Sequence, residues 1–397
     1  MMEPSKRLLA VEESQTLVMT KKARELAATG VKVINLSIGE PDFDTPDHIK
    51  KAAIEAMDQG FTHYPPVTGY PDLRQAIADK FRTQNQLEYT ADQVVVSCGA
   101  KHSIMNVIMA LINPGDEVII PAPYWVSYPE MVKLAEGVPV FLRSDISTDY
   151  KFRIEDLERT LNRRSKLFLF SSPCNPSGSV FSSDELHEIA RVLAKHPDIL
   201  VISDEIYEHL QYGQSHTSIG SFPELKDRVI TVNGLSKAFA MTGWRIGYIG
   251  APTWVAKACE KLQGQFTSGA NSIAQRAAIT AISGSLDETK RMCEIFEQRR
   301  ELLFKGLMDI PGFVPNHPKG AFYIFPDVHT YFGKSYGDYT INNAGDLCIY
   351  LLSEAHVSVV SGAAFGNPEC IRVSYAASAE DLTEALEKMK AALAKLS

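Results

Sequence analysis

KLFLFSS (166–172), ILVIS (199–203) and VITVN (229–233) are apolar runs without polar alternation, and a helical pattern over 183–195 lies between the first two. A strand that shows only one face to a core alternates; a run apolar throughout predicts a strand buried on both faces. Such strands joined by amphipathic segments are the pattern of a parallel sheet with helices on both sides. VVVS (94–97), EVIIPA (117–122) and VPVFL (138–142) extend the series, and helical patterns are expected over 102–112, 124–136 and 253–263. The fold class expected is therefore α/β, with a large, mainly parallel sheet flanked by helices. In such sheets ligands bind outside the carboxyl ends of the strands.

After about residue 290 the pattern changes. A long charged helix is expected over roughly 286–308, then the Pro- and Gly-rich PGFVPNHPKGAFYIFPD, shorter strands, and a closing helix near 379–396. This predicts a large domain over 46–290 and a smaller α+β domain formed by 1–45, which includes an N-terminal arm, and 291–397. A length of 397 residues fits two domains better than one core.

Composition narrows the function classes. Hydrophobic residues make up 45% and charged residues 22%, as in ordinary globular proteins. A net charge of −8 argues against a nucleic-acid partner. No apolar run approaches the ~20 residues that a membrane helix needs, and residues 1–9 lack a signal-peptide core. The six cysteines are scattered, with no C-x-x-C pair and no clustered histidines, so neither a disulfide framework nor a metal site is expected. A cytoplasmic protein with reduced cysteines is the expectation.

The chemistry concentrates in VNGLSKAFAMTGWRIGYIG (232–250). There a strand runs into a small-residue turn carrying Ser236 and Lys237, with Arg245 eight residues on. A lysine at an inward-facing strand end can lose its proton and act as a nucleophile toward an aldehyde. An arginine beside it suits a phosphate. Read alone, Lys237 fits a surface lysine equally well, Asp204 could cap a helix, and Arg372 could alternate outward along a strand.

Together these segments resemble the class I aminotransferases of pyridoxal-phosphate fold type I, and most closely the bacterial subgroup Iβ of aspartate aminotransferases. The stretch 232–250 is similar to the family's lysine signature. SSPCNPSG (171–178) resembles its Asn-Pro-Thr-Gly element, with Ser177 in place of threonine, and SDEIYEHL (203–210) its aspartate-tyrosine element. APYWVSYPEM (122–131), SIGEPDFDTP (37–46), FTHYPPVTGYPDLR (61–74), SCGAKHS (97–103) and IRVSYA (371–376) follow the same pattern.

The resemblance implies pyridoxal 5'-phosphate as cofactor and transamination between an L-amino acid and a 2-oxo acid such as 2-oxoglutarate. It implies that Lys237 forms a Schiff base with the cofactor and then acts as acid and base. Asp204 would pair with the ring nitrogen, Asn175 and Tyr207 with the phenolic oxygen, and Trp125 would stack on the ring. Gly99, Ala100, Lys101, Ser236 and Arg245 would hold the phosphate. Tyr64 would reach the phosphate in a partner subunit, making the assembly a homodimer with active sites at its interface. Arg372, with Gly39 beside it, would take the substrate α-carboxylate.

For specificity, the segment QGQFTSGANSIAQ (263–275), where some relatives carry a distal arginine, has none here. In subgroup Iβ a lysine at the place of Lys101 and hydroxyls at the places of Ser14 and Thr16 serve instead, which implies aspartate or glutamate as substrate. Glu12 and Glu13 stand where relatives that use prephenate carry a basic residue, which weighs against prephenate. Aromatic or other neutral amino acids, prephenate, and a carbon–sulfur lyase activity are the alternatives.

Overall fold

The computed structural model describes residues 3–397. Its centre is a seven-stranded sheet in the order Val94–Ser97, Gly247–Gly250, Val229–Gly234, Leu200–Asp204, Ser165–Ser171, Glu117–Pro121, Val138–Leu142. The five strands from Val229–Gly234 to Val138–Leu142 pair in parallel, while Gly247–Gly250 runs antiparallel to both neighbours. The mainly parallel sheet expected from the apolar runs is thus present.

Side chains divide between the two faces with the period of two that a strand imposes. Leu167, Leu169, Ile202, Ile230 and Val232 pack toward the helices Ala100–Leu111 and Thr253–Phe266. Phe168, Phe170, Val201 and Val229 pack toward Ile154–Thr160 and Ser183–Ala194. At the centre of the sheet both faces are covered, which is why those runs are apolar throughout; the edge strand Val138–Leu142 departs from the expected burial, with Val138 and Phe141 exposed. The helix Ser183–Ala194 starts where Ser182 and Glu185 exchange side-chain-to-backbone hydrogen bonds, satisfying donors that a helix start leaves free.

The antiparallel strand Gly247–Gly250 was not among the expected strands. A Cβ on Gly247 would lie 2.1 Å from the Ala100 nitrogen, and one on Gly250 would lie 2.4 Å from the Tyr89 ring. Close packing demands glycines there, and glycines hide a strand from a reading based on side chains.

The remaining core gathers residues distant in sequence. Met19, Ala23, Ile34 and Leu36 pack with the helix Asp287–Met308 and with residues of 310–396. That helix presents Met292, Phe296, Arg300, Leu303 and Leu307 as one buried stripe at spacings of three and four. Ile34–Asn35 pairs in parallel with Val357–Ser358, and Ile371–Ser374 lies between Val360–Ser361 and Tyr323–Ile324 in a small antiparallel sheet. No helix among the described residues is long and apolar enough to cross a membrane.

Behind the strand Leu200–Asp204 lies a buried polar network. Lys80 and Glu208, 6% and 8% exposed, form an ion pair, and Asn85 links them by donating to Glu208 at 2.6 Å and accepting from Lys80 at 2.8 Å. Glu205 accepts from Ser203 and Ser218 and pairs with His216 at 2.8 Å. Burial alone would raise the Glu208 carboxyl. The charges of Lys80, His209 and His216 outweigh it and hold that carboxyl well below the usual range.

Removing one partner of a buried pair strands the other. Lys80→Met is expected to lower stability at pH 7 by about 3–5 kcal/mol in urea unfolding. Because Glu208 titrates well below its unfolded value of 4.5, its contribution is full above that pH and is lost as pH falls from there toward the lower folded value. This acid-side loss should be absent in Lys80→Met; an equal loss in both proteins between about pH 5 and 3 would contradict the assignment.

Candidate active site

The carboxyl ends of the central strands open into a cavity of about 300 Å³. Its lining includes Ser14, Thr16, Gly39, Ala100, Lys101, Trp125, Asn175, Asp204, Tyr207, Ser236, Lys237, Arg245 and Arg372, so most residues singled out in the sequence meet here. Gly99 is not in the lining; it is the N-cap of the helix Ala100–Leu111, next to Ala100, which is. Tyr64 does not join them: it is 95% exposed.

Lys237 follows the strand Val229–Gly234 and donates from Nζ to the carbonyl of Gly39. Desolvation lowers its pKa to about 8; Glu40 and Asp204 oppose the shift, while Arg372 and Arg245 add to it. A substantial neutral fraction at neutral to mildly basic pH makes this amine a nucleophile.

Asp204 ends the central strand and is 5% exposed. Burial raises its carboxyl to about 6, against the hydroxyl of Tyr128 at 2.6 Å and the backbone N–H of Ile206 at 3.3 Å. Tyr128 was not anticipated as a site residue. It lies in the helix Ser127–Leu134, fully buried, with its ring edge against Trp125 at a centroid distance of 5.4 Å. Trp125 precedes that helix, so no helical spacing ties the two, and only the contact with Asp204 reveals the role of Tyr128.

Across the cavity the helix Ala100–Leu111 directs its N-terminus inward, where free N–H groups and the helix dipole favour an anion. Gly99 holds φ +90°, and a Cβ there would lie 2.4 Å from an Arg245 terminal nitrogen. Arg245 itself takes φ +57° and donates to the Thr242 carbonyl at 2.9 Å. Lys101 is an exposed residue, yet its amine sits 5.0 Å from the Trp125 ring centroid; desolvation, then the Arg245 charge, lower its pKa.

Arg372 lies on the strand Ile371–Ser374 and is 2% exposed. It donates to Asn175 Oδ1 at 3.0 Å and to the Ser37 carbonyl at 2.6 Å, while its buried Nε has no partner. Burial lowers its pKa, and among the described residues no carboxylate pairs with its guanidinium. A buried cation paired only with neutral oxygens is suited to an anionic ligand. Tyr323 lies under the guanidinium, 4.5 Å from Arg372 Cζ to the ring centroid, and was not foreseen either.

The donor set fits pyridoxal phosphate: an aldehyde-reactive amine, a buried carboxylate for a ring N–H, an aromatic face, and a helix N-terminus with Ser236 and Arg245 for a phosphate.

Comparison with known proteins agrees with this chemistry. The family described as aminotransferase class I and II matches residues 31–389. A Petunia hybrida protein, named as a bifunctional aspartate aminotransferase and glutamate/aspartate-prephenate aminotransferase, is 49% identical over 98% of this chain and 82% of its own. An aspartate aminotransferase of Pinus pinaster is 45% identical over 98% of this chain and 80% of its own. The crystal structure of the aspartate aminotransferase from Rhizobium meliloti superposes with a TM-score of 0.96 at 42% identity, covering 100% of both chains.

Gly99→Ala would force Arg245 outward and strain the helix start. It is expected to weaken binding of pyridoxal phosphate at least about tenfold, the equivalent of 1.4 kcal/mol, in a titration followed by absorbance. Unchanged affinity would exclude Gly99 and Arg245 from the phosphate site.

Proposed function

The chain belongs to the class I and class II aminotransferases, and from that premise we propose that it transaminates aspartate or glutamate with a 2-oxo acid acceptor such as 2-oxoglutarate, using pyridoxal 5'-phosphate. The observation that carries this reading is the meeting, in one cavity, of an amine lowered to about 8, a buried carboxylate and a buried arginine free of carboxylate partners. When bound, the cofactor supplies an electron sink for the pair of electrons left when the substrate's Cα–H bond breaks.

The residues divide the remaining work. Lys237 Nζ is the nucleophile that would hold the cofactor through its aldehyde, and the same amine would accept the proton from the substrate α-carbon and give one back. Asp204, held by Tyr128, keeps the ring nitrogen protonated. Asn175 and Tyr207 hydrogen-bond the phenolic oxygen, and Trp125 stacks on the ring. The backbone N–H groups at Gly99, Ala100 and Lys101, with Ser236 and Arg245, hold the phosphate. Arg372 clamps the α-carboxylate by a bidentate pair, and Gly39 leaves room for it.

Lys101 supplies the charge for the distal carboxylate, with Ser14 and Thr16 beside it on the cavity wall. Tyr64, so exposed on one chain, contributes to the phosphate site of a second subunit in a homodimer. A cytoplasmic location and the division into 46–290 and the two flanking segments belong to the same proposal.

Prephenate is the second reading, favoured by the name of the Petunia relative. Glu12 and Glu13 line an adjoining groove and not the cavity itself, and the Glu12 backbone N–H is bound to Glu130 at 2.8 Å.

Lys237→Ala should abolish transamination, with kcat reduced by at least about a thousandfold in a coupled assay with aspartate and 2-oxoglutarate. Wild-type turnover in that variant, or none in the unaltered protein with any amino acid, would end this reading. Lys101→Met should raise KM for aspartate and glutamate about tenfold or more, the loss of one charge-assisted hydrogen bond, and spare alanine and phenylalanine. Equal losses for all four would remove Lys101 from the distal site. Including prephenate and assaying for acceptor-independent pyruvate release separates the second reading and a lyase.

A further inference from the structure

Tyr323 touches three of the groups that the reaction above requires. Its hydroxyl lies 2.9 Å from that of Tyr207, and its ring faces the Arg372 guanidinium at 4.5 Å. A Cβ on Gly39 would fall 2.8 Å from its hydroxyl oxygen. The glycine in SIGEPDFDTP therefore makes room for this phenol as much as for any ligand.

The phenol is held firmly. Tyr323 is fully buried, and Tyr323–Ile324 pairs antiparallel with Val373–Ser374, on the strand that carries Arg372. Two residues earlier Ala321 takes φ +57°, and its carbonyl accepts from Tyr212 and Tyr375. A left-handed alanine persists only where surrounding bonds impose it.

Resting on the pyridoxal-phosphate reading, we propose that Tyr323 is a positioning residue: it donates its hydroxyl proton to Tyr207 and so links the carboxylate-binding Arg372 to the cofactor's phenolic oxygen.

The direction of the hydrogen bond follows from the charges. Tyr207 donates to the cofactor, so its own oxygen is left to accept. Burial raises both phenols and the Arg372 charge opposes the rise at both, but the guanidinium lies over the Tyr323 ring itself, 4.5 Å from its centroid, and so favours loss of the proton most at Tyr323. The more acidic phenol is the better donor, and that is Tyr323. Donors in series strengthen one another: with Tyr323 donating, Tyr207 donates more strongly. Among the described residues, the other charged groups that face this pair are Asp204 and Lys237, whose amine lies 5.9 Å from the Tyr207 ring centroid. A carboxylate bound at Arg372 would offset the cation over Tyr323 and weaken the chain of donors, so ligand binding is felt at the cofactor.

The test is a pH titration of the visible absorbance of the cofactor-loaded protein, a readout that simple packing would not move. Tyr323→Phe keeps the ring and its stacking on Arg372 and removes only the donor. The titration midpoint should rise by about 0.5–1 pH unit, the size of one lost hydrogen bond, because the phenolic oxygen keeps more charge and holds the nearby proton more tightly. Tyr207→Phe should raise it further, and the double variant should match Tyr207→Phe alone. The shift in midpoint on adding maleate, an unreactive dicarboxylate, should be smaller in Tyr323→Phe than in the unaltered protein. An unmoved midpoint in Tyr323→Phe, or additive shifts in the double variant, overturns the proposal even if transamination is intact. An unaltered protein that takes up no pyridoxal phosphate overturns both this inference and the reading beneath it.

Discussion

Asp204 is carried into the floor of the cavity by the central strand, and a carboxylate at that depth constrains everything around it. Desolvation pushes its pKa to about 6, so the protein must offer donors to keep it usable as an anion. Tyr128 and the backbone of Ile206 do so from two sides. Tyr128 in turn sets the edge of Trp125, and Trp125 faces the Lys101 amine. The burial of one carboxylate thus propagates through the wall of the cavity. The same strand end leads into Glu205 and Glu208, whose charges are satisfied by His216 and Lys80 on the far side. The segment 204–208 is pinned from behind while it presents Asp204 and Tyr207 in front.

The opposite wall comes from other parts of the chain. Gly39 precedes the large sheet in sequence, while Tyr323 and Arg372 follow it by more than seventy residues. They meet because Ile371–Ser374 pairs with Tyr323–Ile324, and because Ser37 accepts from Arg372. The site is a seam between the sheet and the core built around the helix Asp287–Met308. A lysine between two such walls is desolvated by both, and its lowered pKa is a property of the seam.

Much of this was legible in the chain. Runs such as KLFLFSS and ILVIS, lacking alternation, already required a sheet covered on both faces. The motifs around Asn175, Asp204, Lys237 and Arg372 indicated one site through their resemblance to a family; strand ends of the parallel sheet bring together the first three, while Arg372 comes from the small antiparallel sheet. Tyr128 and Tyr323 escaped notice, since each reads as an ordinary core aromatic and only its partner reveals its use. The strand Gly247–Gly250 escaped because its glycines answer to the Ala100 backbone and the Tyr89 ring, neighbours that sequence spacing does not bring together.

By itself the sequence determined the periodicities, hence the layered α/β class, and the chemical types available at each strand end, because both depend on local order along the chain. Tertiary structure alone decided which of those groups became unusual. The depressed amine of Lys237, the raised carboxyl of Asp204 and the orphaned Nε of Arg372 all arise from exclusion of water by segments hundreds of residues apart. A pKa responds to the dielectric and charges around an atom, and those are set when the walls close.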